Sequence, residues 1–334
     1  MIKMSPRYKW FLSKIVRFVI ISFLVLTIAF ILPRLMPGDP IENLFGETVT
    51  RVDPVVRDSL EEKYGLDEPI WNQYVTFLST IFSFDFGHSI SLSLDVNYLI
   101  SRRLFWTMAL ILPAIAIGAV FSLVLAIRCG MRRDGYADKI LSFMAITIHT
   151  VPGFLIAMIF VRLFSFQLGW FPLGHLSSGT ETGFAYYEDI AYHLFLPITV
   201  LSLLVGSSKF LILRNSVTQI NEDYFIFVAR SKGLSEEKIA RKYVMRNIMP
   251  IFLSILALNL GFIVSGALLI EIVFSIQGMG TLMYDAIMMQ DYPVIQAVFI
   301  IMTFMVLSMN LLAELLYGIA DPRVGDSLDR GVNV

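Results

Sequence analysis

Within the most apolar stretches of the chain sit a few groups able to carry charge or make strong hydrogen bonds: His149, Arg162, Glu271, Asn310 and Glu314. Such groups are expensive to bury in apolar surroundings, so they point to a pathway, a gate or a specific partner. Glu314 follows Asn310 by one helical turn, which puts both on one helix face. The pair either lines a pathway or binds a neighbouring helix, and structural pairing is the favoured reading. Glu271 falls near the end of an apolar run, where interfacial water would ease its charge; packing at a gate or lip is expected of it. Arg162 is expected to snorkel outward or pair with an acid. His149 precedes Pro152 by three residues and marks a bent or irregular helix start, since no second His or Cys lies nearby to share a metal.

None of these groups forms a catalytic constellation. No Gly-x-x-x-x-Gly-Lys-Ser/Thr occurs, so the chain is not expected to bind ATP through a P-loop. Neither His-Glu-x-x-His nor an intramembrane aspartate pair is present. The single cysteine, Cys129, excludes an internal disulfide and any cysteine-based metal site, and reads as a small packing residue. The chain is therefore expected to be neither an enzyme nor the holder of a cofactor or metal.

The most informative polar segment runs from Asp223 to Pro250, a net-basic loop between two apolar stretches. Asn221-Glu-Asp223 can cap a helix from about Tyr224 to Lys232. Gly233 stands where a residue of positive φ would end that helix, a conformation that only glycine adopts cheaply. Ser235 is a natural N-cap for a second helix, with Glu236 and Glu237 in the first turn against the positive end of the dipole. That helix continues through Tyr243 and Arg246, and Pro250 suits the start of the next apolar span. The expected product is helix, Gly turn, helix, with an apolar set of Phe225, Val228, Leu234, Ile239 and Tyr243 beside a basic set. Such a bent element can sit in a groove on a partner and transmit a push; a solvated basic loop is the plainer alternative.

The elements that would position these residues are membrane spans. Hydrophobic residues make up 56% of the 334 positions and charged residues only 16%, with mean hydropathy +0.71, against about 25% charged in soluble domains. Given roughly 20 residues per crossing, spans are expected near 11–32, 104–127, 139–165, 192–213, 248–271 and 293–318. Lys and Arg concentrate at the N-terminus, in the turn after the second span and in 209–247, whereas 166–191 and 272–292 hold acids and no base. The positive-inside rule then places both termini in the cytoplasm. The first external region, about 33–103, is too long for a connector; Pro54 to Tyr64 reads as a short amphipathic helix closed by Gly65, and Trp71 to Ile81 as an interfacial helix. The chain thus divides into 1–103, a core of 104–318 carrying the loop 214–247, and a cytoplasmic tail of 319–334.

The order Asp223-Tyr224, Ala229-Arg230, Lys232-Gly233-Leu234, Arg246-Asn247 and Pro250 resembles the cytoplasmic coupling loop of ABC importer permeases, in the spelling used by the dipeptide/oligopeptide/nickel family. Pro37-Gly-Asp-Pro40, Gly65-Leu-Asp-Glu-Pro69, Phe84-Asp-Phe-Gly-His-Ser89, Arg103-Leu-Phe-Trp-Thr107, Asp291-Tyr-Pro293 and Asp321-Pro-Arg323 resemble further family signatures, in order along nearly the whole chain. Departures occur where the archetypal Glu-Ala-Ala reads Phe227-Val-Ala229, at Ser231 and at Glu314.

The resemblance implies an all-α, six-span type I importer permease in the cell membrane. It would pair with a second homologous permease subunit, two ATP-binding cassette subunits that carry the ATP and Mg, and an extracytoplasmic substrate-binding protein. Nucleic acid is not expected as a partner. Peptides are the expected cargo, moved by alternating access; nickel chelates or oligosaccharides are the alternatives within the family, and an ion-coupled secondary transporter is the rival outside it. The resemblance assigns coupling to Asp223, Tyr224, Ala229, Arg230, Lys232, Gly233, Leu234, Ser235, Arg246, Asn247 and Pro250.

Overall fold

The structure, a computed structural model, describes residues 6–35, 58–59, 67–179 and 182–320; side chains are described within these except at 6–11, 257–266 and 312–320. Among the described residues the fold is helical, with one isolated bridge between His88 and Asp95. The helices are α1 (Pro6–Arg34), α2 (Ile70–Ser83), α3 (Val96–Met131), α4 (Tyr136–Thr150) and α5 (Gly153–Phe160), the last running into a π-helical stretch, Val161–Gln167. Then come α6 (Phe184–Asn221), α7 (Tyr224–Ser231), α8 (Glu236–Ile239) with a π-helical stretch at Ala240–Val244, α9 (Met245–Val273), α10 (Met279–Met288) and α11 (Tyr292–Ala320).

Four of the described helices, α1, α3, α6 and α11, are long and apolar enough to cross a membrane. The pair formed by α4 and α5 with its π extension is bent by 107° and makes a fifth if it counts as one span. The third span expected over 139–165 is therefore broken in the middle. Val151 is extended (φ −77°, ψ 133°) because the residue before a proline is driven out of the α region, so the irregular start expected around His149 and Pro152 is a full corner. The fifth expected crossing lies within α9, which is helical over 29 residues. The helix expected over Pro54–Tyr64, with its Gly65 stop, falls almost wholly outside the described residues, whereas α2 contains the expected Trp71–Ile81 helix.

Two helices are much longer than a crossing needs. At about 1.5 Å per residue, the 36 residues of α3 and the 38 of α6 extend well past a hydrocarbon layer of about 30 Å. Their ends carry Arg128 and Arg214 into a polar zone that the sequence had already marked as basic.

The chain divides into two compact units. The first comprises Met1–Lys14, Met108–Ile276 and Ser308–Val334. Within it α6 packs against α4, α5 and α9, around cores that include Leu110, Leu201 and Phe274 on one side and Phe210, Leu213 and Ile248 on the other. Close approach of α3 and α6 depends on glycine. A Cβ at Gly118 would stand 2.7 Å from the Ser202 carbonyl oxygen, and one at Gly130 2.6 Å from Val217 Cγ1. Small residues do the same work in membrane helix pairs generally. The run of small residues Gly261, Ser265, Gly266 and Ala267 in α9 is a second place suited to close helix contact; the first three lie outside the residues whose side chains are described, and Ala267 is buried.

The second unit comprises Ile15–Thr107 and Gln277–Leu307. Phe30, Tyr74 and Phe77 form its aromatic cluster, with Arg34 lying over the Phe30 ring and donating to Gln73 Oε1. Asp291 is fully buried here. Its Oδ2 accepts from Ser89 Oγ (2.5 Å), Ser91 Oγ (2.7 Å) and the Ser91 backbone N–H (3.0 Å), which clasps the segment before α3 to the start of α11.

Candidate coupling site

The polar segment after α6 folds as a helix, a glycine turn and a second helix, with each cap position occupied by a residue that the sequence nominated for it. Asp223 occupies the N-cap position of α7 with extended backbone, and its carbonyl accepts from Ile226 and Phe227; its carboxylate makes no capping bond. At the other end Gly233 has φ +74°. Its N–H bonds to the Arg230 carbonyl, and the Leu234 N–H to the Ala229 carbonyl. This double closure of a helix C-terminus requires a left-handed residue at the turn. Lys232, the C-cap residue, is exposed. Ser235 caps α8 by accepting from the Lys238 N–H at 3.4 Å.

Arg230 ties the element together. Its Nε and one Nη fork onto the Glu236 carboxylate at 2.7 and 3.0 Å, and the same Nη reaches Asn221 Oδ1 at 2.7 Å. One guanidinium therefore bridges the end of α6, the end of α7 and the start of α8. The fork holds the Glu236 carboxyl below the usual carboxylate range, with a smaller pull from Arg132. In return Glu236 raises the Arg230 guanidinium.

The faces of α7 are sharply divided. Ile226 and Ala229 are buried, and with Ile239 and Val244 they join the core containing Phe210, Leu213 and Val217. Leu234 packs on its margin. Facing outward, Tyr224 is 79% and Phe227 64% exposed, their rings stacked 6.3 Å apart. The expected apolar set therefore needs correction. Phe225 is exposed, and Ile226, which the spacing argument passed over, is the anchor. The anchor follows from helical period: Ile226 and Ala229, three apart, lie on one face, whereas Phe225 lies about 100° round from Ile226.

The second helix does not end before the next span. α8, its π-helical extension and α9 are continuous, and Pro250 lies inside α9 rather than at its start. Arg246 and Asn247 are exposed on this continuous rod, Asn247 donating to the Tyr243 carbonyl at 2.9 Å. The nominated coupling residues thus fall into a compact group from Asp223 to Ser235 and a second group, Arg246, Asn247 and Pro250, along the rod.

Beneath the element lies an ion pair that the sequence reading did not nominate. Asp138 near the start of α4, 3% exposed, takes a two-pronged bond from Arg214 of α6: Nε to Oδ1 at 2.9 Å, and Nη2 to Oδ2. Asp138 also accepts from the Asp134 N–H and from Ser142 Oγ. Asp138 in a cluster of bases was the visible signal, but the sequence does not disclose that a partner 76 residues away faces it.

The three groups proposed for a gate or pathway are not assembled in the same way. Glu271 is fully buried, not eased by interfacial water as its position near the end of the run suggested; α9 continues to Val273, and the following turn folds back so that the Ile276 N–H meets the Glu271 carbonyl. The Asn310 Oδ1 atom is buried without a hydrogen-bond partner among the described residues. The Glu314 side chain lies outside the described residues. Arg162 is exposed in the π-helical extension of α5. Among the described residues no group of three or more His, Cys, Asp or Glu side chains could hold a metal ion.

Comparison with known proteins bears on the same segments. The profile described as "Binding-protein-dependent transport system inner membrane component" matches residues 118–326, and the one for the N-terminal part of such components matches residues 7–116. The dipeptide transport system permease protein DppB of Lactococcus lactis subsp. cremoris is 30% identical over 317 residues, covering 95% of this chain and 99% of the relative. The di/tripeptide transport system permease protein DppB of Pseudomonas aeruginosa is 29% identical over 318 residues, covering 90% and 94%. With the segment 223–250 and most of the apolar helices inside the first match, the chain belongs to the family of inner membrane components of binding-protein-dependent transport systems.

Proposed function

We propose that this chain is one of two permease subunits of an ATP-driven importer that carries peptides across the cell membrane by alternating access. In this reading six helices cross the bilayer, both termini are cytoplasmic, and two ATP-binding cassette subunits, which hold the ATP and Mg, dock below the membrane. An extracytoplasmic binding protein delivers the peptide. The single observation that carries the reading is the division of α7: Ile226 and Ala229 are seated in the permease core while Tyr224 and Phe227 are left stacked and exposed. Exposed aromatic pairs of this kind are the usual anchors of protein interfaces. Because α8 runs without a break into α9, a displacement imposed on α7 and α8 by ATPase closure reaches the membrane helices as a rigid-body tilt. Arg230 keeps the two short helices from moving independently. Peptides are the cargo by analogy with these relatives, which are named for dipeptides and di- or tripeptides.

The test is reconstitution of the whole transporter in liposomes, measuring peptide uptake together with ATP hydrolysis. Tyr224→Ala with Phe227→Ala should abolish uptake and the ATPase stimulation by loaded binding protein, with the permease still correctly folded. Full transport by that double variant, or uptake that persists without any ATPase subunit, would overturn the proposal and favour an ion-coupled transporter.

A further inference from the structure

Beside the coupling element is a cavity of about 1050 Å³ bounded by the end of α3, the start of α4 and the α8–α9 rod, all within the first unit. Its walls are of two kinds. Val124, Leu125 and Leu141 line it with apolar surface. Arg128, Arg132 and Arg241 line it with guanidiniums.

The charges of this lining do not cancel. Arg230 and Asp138 also border the cavity, but each is committed, to Glu236 and to Arg214 respectively. That leaves three guanidiniums against the single carboxylate of Glu237. Neither Arg128 nor Arg241 makes a side-chain hydrogen bond or ion pair among the described residues, and Arg132 meets only the field of the already paired Glu236.

We infer that this cavity binds the phosphodiester headgroup of an anionic membrane lipid, with one acyl chain along Val124 and Leu141. The argument is one of chemical fit. A solely electrostatic anion site would not need an apolar flank, and an apolar ligand would not need the guanidiniums. A lipid uses both, and basic pockets between membrane helices on the positively charged side are where such headgroups lodge. Guanidinium is also the better phosphate ligand, because its planar fork meets two oxygens at once. The site rests on the chain being embedded in a membrane and not on its role in ATP coupling, so its test reads lipid retention rather than transport. A headgroup held here would touch Arg241 on the rod and Arg128 on α3 together, bracing the coupling element against the span.

The full-length protein, delipidated in mild detergent, would be titrated with phosphatidylglycerol or phosphatidylcholine and its bound lipid counted by native mass spectrometry. Tight retention of one phosphatidylglycerol is expected, with phosphatidylcholine much weaker. Arg128→Gln with Arg241→Gln should lower phosphatidylglycerol affinity by about thirtyfold, at about 1 kcal/mol per cation. Arg128→Lys with Arg241→Lys should recover part of that loss, which excludes misfolding as its cause. Arg102→Gln removes an exposed charge in the other unit and should leave retention unchanged. Three results would overturn the inference: equal retention by the double Gln variant, equal binding of both lipids, or displacement of phosphatidylglycerol by millimolar inorganic phosphate, which would mark a general anion site.

Discussion

At the residue scale, the sharpest test concerns Gly233. Its φ of +74° is one that L-residues adopt at a penalty of roughly 1–2 kcal/mol, while a Cβ there would meet nothing within 4 Å. The penalty of substitution is therefore conformational and not steric. Gly233→Asn should be tolerated better than Gly233→Ala, and Gly233→Val least of all, as judged by peptide-driven ATPase stimulation of the reconstituted transporter. Equal behaviour of Asn and Val would mean that the backbone at this turn does not matter. The Arg230–Glu236 fork permits a pH prediction. Glu236 has a lowered pKa in the fold, so its contribution is complete above the unfolded value near 4.3 and disappears as pH falls through the folded value. Both side chains are substantially exposed, so solvent screening limits the effect to at most about 1 kcal/mol. Hydrogen exchange of the α7–α8 amides should accelerate a few-fold on Glu236→Gln at pH 7, and the difference from the parent protein should vanish as pH falls through the folded value. These turn residues were readable in advance because each acts on its own neighbours: Gly233, Ser235 and the Asn221–Asp223 approach are local signals. Asp138 with Arg214, and Asp291 with Ser89, act across long separations that a single sequence does not reveal.

At the element scale, the α3–α6 contact and the Asp138–Arg214 pair set how the first unit holds together. Gly118→Ala would put a methyl group 2.7 Å from a backbone oxygen that cannot rotate away. Overpacking of this kind is expected to destabilise by about 1–3 kcal/mol. Gly206→Ala meets its nearest atom at 3.2 Å and should be milder. Thermal unfolding in detergent checks the order, and a reversed order would refute the packing account. Asp138→Asn leaves the Arg214 guanidinium half-enclosed without its counter-charge, at a loss of about 3 kcal/mol. Pairing that change with Arg214→Met should recover part of the loss, since the unmatched charge then goes too. The long helices were legible from hydropathy, yet their true lengths were not. α3 and α6 overrun the expected spans because polar residues such as Arg128 and Asn221 prolong a helix without adding to its apolar signal. The corner at Val151–Pro152 was legible in kind but not in size, because the proline forbids helix at the preceding residue and leaves the exit direction to packing.

On the scale of the whole molecule, the distribution of Lys and Arg makes a topological prediction. Cys129 is buried, so Cys129→Ala should provide a silent cysteine-free background. A cysteine placed at Glu188, which is exposed, should react with a membrane-impermeant maleimide applied to intact cells. One placed at Lys232 or near either terminus should react only after the membrane is opened. Labelling of Lys232→Cys from outside would invert the proposed orientation and remove the coupling site from the ATPase side.

The Asp291 clasp also constrains how the protein is made. Ser89 and Asp291 are 202 residues apart, and a ribosome adding about 5–20 residues per second needs roughly 10–40 s to travel between them. Throughout that interval Ser89 and Ser91 have been synthesised while the carboxylate that secures them has not. The segment ahead of α3 must then wait, unfastened, until the start of the last helix arrives. A nascent chain stalled before Asp291 should therefore be cut by protease around Ser91, and the completed, released chain should resist.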